Sequence, residues 1–441
     1  MNDPKVLLVI LPVFWPNMPP LGLACLQSYC AQNGIAADIL DLNNVFYNKA
    51  EFELKRSWLL SCNTFLEENI VSIIMRDFPE AFAAAFEQML KADVIGFSCF
   101  KSNLKSTLEI VKILKVRKPS LKVVLGGPEI TRQYFKTNTE FDQGLLGAAD
   151  LLVVGEGEKS FFDFIAQRGS PQRIAAFEQL PGLEKLAFPR YTGLDFSSYP
   201  KSSAVPLLFS RGCIRKCNFC SEKLLFKGYR SRPVESIIDE IRYHKDNGIR
   251  HFVFFDSFLN ADLKKLDELC EGIINAFGSV PWEAQMAIRD DVDERLLRKV
   301  KQSGCYNLFI GFESGSDKTL ENMNKGFTCA QAQRFFRKLH EAGLVFGISI
   351  IVGYPGESDA DFTESLEFVI KNKGLIPKIE QVNPFTYYDG TCADKSGDYK
   401  RNPEAFKRMD VFVREIKRNK LKFTNAFLGN LIEKGPDGKN S

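Results

Sequence analysis

The stretch Ser210-Arg211-Gly212-Cys213-Ile214-Arg215-Lys216-Cys217-Asn218-Phe219-Cys220 brings three thiols within eight residues. It closes a short apolar run at 207–210. That run opens a series of strand candidates that continues at 251–256, 282–287, 308–312, 346–352 and 379–385. Between them lie segments of helical period at about 234–247, 262–277, 293–303, 328–342 and 359–373. Six strand-helix units predict an open or full parallel barrel, in which chemistry sits at the C-terminal ends of the strands. A loop leaving the first strand of such a barrel can gather its thiolates on one metal site. Zinc would want a fourth ligand, and no further Cys or His is near in sequence. A [4Fe-4S] cluster on three thiolates fits better, because one iron is then left for a substrate or cofactor.

Outward from this loop, the composition bounds the rest. The chain has 441 residues, 45% hydrophobic and 26% charged, with 58 basic against 55 acidic side chains and a net charge of +3. That balance argues against a broad basic face for nucleic acid. No apolar run reaches the ~18 residues of a membrane span, and no signal peptide is visible, so a cytoplasmic location is expected. The other eight of the 11 Cys are scattered and read as small buried hydrophobes. The His count is only 3 (His244, His251, His340), which disfavours a histidine-built metal centre.

Ahead of the barrel, strand candidates at 6–11, 37–42, 94–99, 122–125 and 151–154 alternate with helices at 21–33 and 103–118. This predicts a doubly wound parallel sheet over 1–167, carrying a helical insertion at 46–92. Residues 168–203 read as a linker and 204–385 as the partial (β/α)6 barrel. Residues 386–441 read as a small helical segment, a candidate substrate lid, whose Tyr387, Tyr388, Phe406, Phe412, Phe423 and Phe427 can equally be plain helix core. Three turns end strands of the first sheet: Ser98-Cys99-Phe100, Gly126-Gly127-Pro128-Glu129 and Val154-Gly155-Glu156-Gly157-Glu158. A large ligand of an open α/β sheet lies over turns of this kind.

The Cys-x-x-x-Cys-x-x-Cys spacing, with an aromatic before the last Cys, resembles the radical S-adenosylmethionine superfamily. Gly311-Phe312-Glu313-Ser314-Gly315-Ser316, with Leu320, Met323 and Lys325-Gly326, resembles its fourth-strand element. Ile350-Ile351-Val352-Gly353-Tyr354-Pro355-Gly356-Glu357 resembles its fifth-strand turn. The resemblance implies Cys213, Cys217 and Cys220 as cluster ligands, with Phe219 beside them. Gly353 and Gly356 would leave room for adenine. Glu313 would hold ribose hydroxyls or the methionine ammonium, and Arg289 the methionine carboxylate. Asp256-Ser257 stands where the family often has Gly-Gly-Glu, and matches it poorly.

Placed before such a barrel, the first sheet resembles the cobalamin-binding domain of the cobalamin-dependent radical enzymes. Ser98, Phe100, Gly126, Gly127, Glu129, Gly155, Glu156 and Gly157 would contact the corrinoid. The loop Asn17-Met18-Pro19-Pro20-Leu21-Gly22 has Pro where histidine-ligating cobalamin domains have His, so Pro19, Pro20 and Leu21 would lie beneath a cobalt without an imidazole from this loop.

The resemblance implies three cofactors: a [4Fe-4S] cluster, S-adenosylmethionine and cobalamin. It also implies an external one-electron donor such as a flavodoxin or ferredoxin, and a small-molecule or peptide-side-chain substrate. The expected activity is methyl transfer from methylcobalamin to an unactivated carbon, after a 5′-deoxyadenosyl radical has removed a hydrogen. The alternative is a radical cyclase, isomerase or dehydratase with a non-methylating or vestigial cobalamin domain. A non-enzymatic cofactor carrier is a third reading, disfavoured because a carrier needs no polar residues lining a cavity.

Overall fold

The computed structural model describes residues 4–59, 64–136, 141–168, 173–387, 391 and 403–424. They divide into two compact units, one built from residues 1–205 with 224–227, the other from 206–223 and 228 onward.

In the first unit six strands form one sheet: β1 Val6–Ile10, β2 Ala37–Asp41, β3 Val94–Ser98, β4 Lys122–Gly126, β5 Leu151–Gly155 and β6 Ile174–Glu178, in the order β2-β1-β3-β4-β5-β6 and parallel throughout. All five residues of β1 are buried, as expected of a strand covered by helices on both faces. The strand order reverses between β1 and β3, and the crevice for a ligand in such a sheet opens at the C-terminal ends there. Between β2 and β3 the chain is helical at Leu42–Lys49, Phe52–Leu59, Thr64–Asp77 and Pro79–Leu90, beginning slightly ahead of the expected insertion. The Asp41 carboxylate caps the first of these by accepting from the Asn44 amide at 2.8 Å.

The stretch expected as a linker over 168–203 is more ordered than its Pro and Gly content implies. It carries β6 as an edge strand, too short and Ala-rich to show an alternating pattern. It is then fastened to the first unit: Gln27 and Thr192 exchange two hydrogen bonds at 2.9 and 3.0 Å, and the Tyr199 hydroxyl donates to buried Asp41 at 2.8 Å.

In the second unit the main sheet comprises β7 Ala204–Leu207, β10 His251–Phe254, β11 Trp282–Met286, β12 Cys305–Glu313, β13 Phe346–Val352 and β14 Lys378–Pro384 in sequence order, the neighbours from β10 to β14 being parallel. First and last strands stand at opposite edges, so this is an open half-barrel. The first strand ends at Leu207, earlier than expected, and Ser210–Arg211 (β8) pairs antiparallel with Arg230–Ser231 (β9). Helices Val234–Asp246, Leu263–Phe277, Glu294–Gln302, Cys329–Glu341 and Asp359–Lys371 return the chain between strands. Two of them begin with capping boxes, Thr328 with Gln331 and Ser358 with Asp361, which satisfy amides the helix leaves free.

The helix Pro403–Arg418 follows the barrel. Of the aromatics proposed for a lid, Phe412 is fully buried, its ring 6.0 Å from that of Phe362, and so serves as helix core. Tyr388 and Phe427 lie outside the described residues. Among the described residues no helix is long and apolar enough to cross a membrane.

Candidate functional site

The three-cysteine loop is fixed from its surroundings, and its own sulfurs take little part. At its root the buried Asp256 carboxylate, just past β10, accepts from the Phe209 amide at 3.1 Å, the Ser210 amide at 2.5 Å and the Ser210 hydroxyl. Burial pushes this carboxyl up to about 6 against the pull of those three donors. Buried Arg232 closes the other side, donating to the Leu208 carbonyl at 3.1 Å and pairing with buried Glu240 at 2.5 Å.

Further along, the loop is stitched to the segment that follows β12. The Arg215 guanidinium donates to the carbonyls of Lys325, Gly326 and Ile288 at 3.1, 3.0 and 2.7 Å. The Asn218 amide reaches the Met323 carbonyl at 2.9 Å, and Asn324 donates to the Lys216 carbonyl at 2.9 Å. These bonds give the Met323–Gly326 stretch a physical reason to accompany the cysteine loop.

Cys213, Cys217 and Cys220 are half-buried free thiols. Burial pushes the Cys213 thiol up to about 11, offset in part by the Arg215 amide, which donates to its sulfur at 3.3 Å. Cys220 is raised by the same cause. Among the described residues no three Cys, His, Asp or Glu side chains are arranged to hold a single metal ion. The donor set suits an iron–sulfur cluster, whose thiolate anchors sit on separate irons rather than around one. Phe219 packs with Met323, Tyr354 and Phe385, its ring 6.3 Å from that of Tyr354.

The polar residues expected around S-adenosylmethionine are brought to the same ends of the strands, but most are already engaged. Glu313 terminates β12 with φ +76°, a left-handed conformation that costs a non-glycine residue about 1–2 kcal/mol. Its buried carboxylate accepts from the Ser349 hydroxyl at 2.8 Å and pairs with Lys325 at 3.3 Å. Arg289, expected to clamp a carboxylate, chelates Asp291 at 2.8 and 2.6 Å and donates to the Asn260 and Ala261 carbonyls at 2.8 and 2.7 Å. Four of its donors are therefore spoken for, and a ligand carboxylate would have to displace Asp291.

Gly353 has a steric reason within the chain to lack a side chain. Its φ is +73°, and a Cβ there would run into Ala405 of the helix Pro403–Arg418, 2.9 Å from its Cα. Glu357 closes the turn by accepting from the Gly353 amide at 2.7 Å, and Arg408 joins it from the same helix at 2.7 Å. Gly356 stays open, with only the Asn322 amide nitrogen near, at 3.5 Å. A cavity of about 220 Å³ lies here, bounded by Gly353, Gly356, Phe385, Tyr387, Ala405 and Arg408.

In the first unit the C-terminal turns converge likewise. Ser98, Phe100, Gly126, Gly155 and Gly157 are half-buried at the strand ends. The Phe100 ring packs at a tilt against that of Phe14 in the loop after β1, centroids 4.3 Å apart. Asn103 knits those loops together through the Leu11 and Ser98 carbonyls and the Phe100 amide. The acidic residues serve the fold: buried Glu129 is chelated by Arg132, and buried Glu156 accepts from the Leu180 amide at 2.6 Å. Gly127, at φ +101°, allows close approach to Cys99, whose backbone O and N lie 2.8 and 2.9 Å from where a Cβ would be. Pro19 and Pro20 are buried, and Pro20 seats the start of the helix Leu21–Gln32. All three His of the chain fall at 244, 251 and 340, so residues 1–205 can offer no imidazole to a cobalt. The half-buried turns and the lack of that ligand fit a corrinoid held by backbone and shape.

Sequence reading gave Arg215, Asn218, Ser349 and Arg408 no role, and weighed Asp256 only as a poor ligand. Their partners are main-chain atoms and buried carboxylates distant in sequence, which no local pattern announces. Lys325 had a signal, in the fourth-strand element.

An open cobalamin-type sheet followed by an open half-barrel with a three-thiol loop defines a two-domain radical enzyme. The B12 binding domain family matches residues 8–164, and the Radical SAM superfamily matches residues 207–369. An uncharacterized methyltransferase of Pyrococcus horikoshii is 25% identical over 350 residues, 74% of each chain. An anaerobic magnesium-protoporphyrin IX monomethyl ester cyclase of Rubrivivax gelatinosus is 27% identical over 63% of this chain, which spans only 54% of that protein. In three dimensions the fold is similar to the radical S-adenosylmethionine methyltransferase TsrM of Kitasatospora setae, solved with cobalamin and a [4Fe-4S] cluster, with a TM-score of 0.68 and 16% identity over 89% of this chain and 77% of that one. The chain belongs to the cobalamin-dependent radical S-adenosylmethionine enzymes, whose cofactors are a [4Fe-4S] cluster, S-adenosylmethionine and cobalamin.

Proposed function

We propose that this enzyme methylates an unactivated carbon, using residues 1–167 to hold cobalamin and residues 204–385 to hold the cluster and S-adenosylmethionine. The observation that carries the reading is the union in one chain of a histidine-free corrinoid-type sheet with a half-barrel whose loop offers three thiols and no fourth ligand. When bound, the cluster and S-adenosylmethionine would supply hydrogen abstraction, and methylcobalamin the methyl group.

In this reading Cys213, Cys217 and Cys220 anchor the cluster, and Phe219 shields it by packing on Tyr354. Glu313, fixed by Ser349 and Lys325, presents a carboxylate edge to S-adenosylmethionine, and the open Gly356 turn receives its adenine. Ser98, Phe100, Gly126 and Gly155 line the corrinoid. A flavodoxin- or ferredoxin-class protein delivers the electron.

The test is anaerobic reconstitution with iron, sulfide and hydroxocobalamin, followed by reduction in the presence of S-adenosylmethionine carrying a deuterated methyl group. Formation of both 5′-deoxyadenosine and S-adenosylhomocysteine, with labelled methylcobalamin, is expected. The relative named as a cyclase favours a second reading, radical cyclisation without methyl transfer. Formation of 5′-deoxyadenosine with no S-adenosylhomocysteine and no methylcobalamin would select it and overturn methylation.

A further inference from the structure

Beside the cysteine loop lies a buried charge pair whose burial and strain packing alone does not explain. Lys325 is 9% exposed and Glu313 8%. The ammonium sits 3.3 Å from Glu313 Oε1, 5.6 Å from the centre of the Phe219 ring and 5.7 Å from that of Phe327. Aromatic faces attract a cation but leave it without water, and a buried ion pair is usually no better for stability than apolar residues of the same size. Glu313 moreover keeps a left-handed backbone at a strand end, where such strain accompanies function.

The pair is also oriented. The Lys325 ammonium lies over the ring of Phe219, the residue directly before Cys220, whereas the Glu313 carboxylate is bonded to that ammonium and to Ser349 of β13. The carboxyl that follows Cys220 by two residues, Glu222, is bonded to the Ser257 hydroxyl. The positive end of the pair therefore faces the cysteine loop.

We propose that Lys325 is a positioning residue for electron transfer, a fixed positive charge that raises the one-electron reduction potential of the cluster on Cys213, Cys217 and Cys220, with Glu313 and Ser349 holding its ammonium in place. The inference rests on the assignment of the cluster to these cysteines. Reduction adds one electron to the cluster and removes one from a low-potential donor of the flavodoxin or ferredoxin class. No bond forms or breaks, and no proton is transferred. The added negative charge is favoured by a cation held in a poorly screened site, because Coulomb energies grow as the effective dielectric falls.

The experiment is a potentiometric titration with dithionite, followed by electron paramagnetic resonance, on the reconstituted full chain without S-adenosylmethionine. Lys325→Met should shift the midpoint to a more negative potential, and Lys325→Arg should stay near wild type. Glu313→Gln should shift it in the opposite direction, and the double variant Lys325→Met/Glu313→Gln should fall between the single ones. A structural disturbance would move both single variants the same way or lower iron content in both, and either result overturns the proposal. An unmoved midpoint in Lys325→Met at wild-type iron content also overturns it. If Lys325→Met fails to hold iron, Glu313→Gln decides: an unmoved or lowered potential overturns the proposal. Failure of the underlying assignment is separately visible, since a Cys213→Ala/Cys217→Ala/Cys220→Ala chain would then keep its iron and its resonance.

Discussion

Two adjacent glycines at the end of β4 should behave very differently when substituted. Gly127→Ala forces a Cβ to within 2.8 and 2.9 Å of the Cys99 backbone O and N. Those atoms cannot swing aside, because the Cys99 amide donates to the Gly126 carbonyl at 2.8 Å and the Cys99 carbonyl accepts from the Glu129 amide at 3.0 Å. The left-handed backbone costs a Cβ-bearing residue about 1–2 kcal/mol. Overpacking adds ~1–3 kcal/mol, and losing one of the two hydrogen bonds adds ~1 kcal/mol. The sum is roughly 3–6 kcal/mol, a large share of the stability of a unit this size. At Gly126 a Cβ would meet only Val153 Cβ at 3.4 Å, so Gly126→Ala should stay within about 1 kcal/mol of wild type. Hydrogen exchange of the β3 and β4 amides in the full chain reads both. Corrinoid absorbance after reconstitution then makes Gly126→Phe the clean probe of the cobalamin site: it should lose cobalamin while exchange stays as in wild type. If Gly127→Ala exchanged like wild type, the close-approach argument would be wrong. Equal corrinoid retention in Gly126→Phe would remove these turns from the site.

Asp256→Ala leaves two amides and a hydroxyl at the root of the cysteine loop without their acceptor, at ~1–3 kcal/mol for each buried group; iron per chain after reconstitution should fall severalfold, with Asp256→Asn retaining more. Buried Asp41 is pushed up to about 6 from 3.8, so the folded state holds this proton more tightly than the unfolded one. Its contribution is full below about pH 4 and lost as pH rises through about 6, up to ~3 kcal/mol; the urea midpoint of the first unit between pH 4 and 7 should depend less on pH in Asp41→Asn. Gly353→Ala should push the helix Pro403–Arg418 off β13, raising proteolysis within 403–418 at least tenfold, whereas Gly356→Ala, with only the Asn322 amide nitrogen near at 3.5 Å, should leave that helix in place.

The sequence carried the strands whose burial is continuous and the helices whose period is regular, because both signals are local. Phe346–Val352 is buried almost without interruption and was read at its observed bounds. The edge strand Ile174–Glu178 has an apolar run of only four residues and no alternation, and pairing with β5 is what makes it a strand. The three thiols were legible because metal ligation needs several donors of one kind close together. Glycine was the least specific signal. Gly127 and Gly353 each lie tight against the chain itself, Cys99 in one case and Ala405 in the other. A missing side chain announces a close approach, and sequence does not say by what. Charged residues are as unspecific: Arg289, Glu129 and Glu156 have protein partners, Asp291, Arg132 and Leu180, that no local pattern announces.

These engagements bear on how such a site can be built before its cofactors arrive. A loop that must receive a cluster needs a defined backbone and sulfurs without strong competing partners. Here the backbone is defined from outside, by Asp256 at the root, by Arg215 through three carbonyls, and by Asn218 and Asn324 across to the segment after β12. Cys213, by contrast, accepts only a weak N–H···S contact at 3.3 Å from Arg215, which favours the thiolate a metal needs without tying the sulfur down. Burial raises the Cys213 and Cys220 thiols, so without metal these two are mainly protonated at neutral pH, and taking up iron must release their protons. Arg215 links the two requirements. Its amide touches the Cys213 sulfur, while its guanidinium grips the Lys325 and Gly326 carbonyls, so the chain that positions the ammonium is fastened by the same residue that positions the cysteine. Moving Arg215 would therefore disturb both the ligand geometry and the charge beside it, whereas Lys325 can be changed with the loop's other fastenings intact.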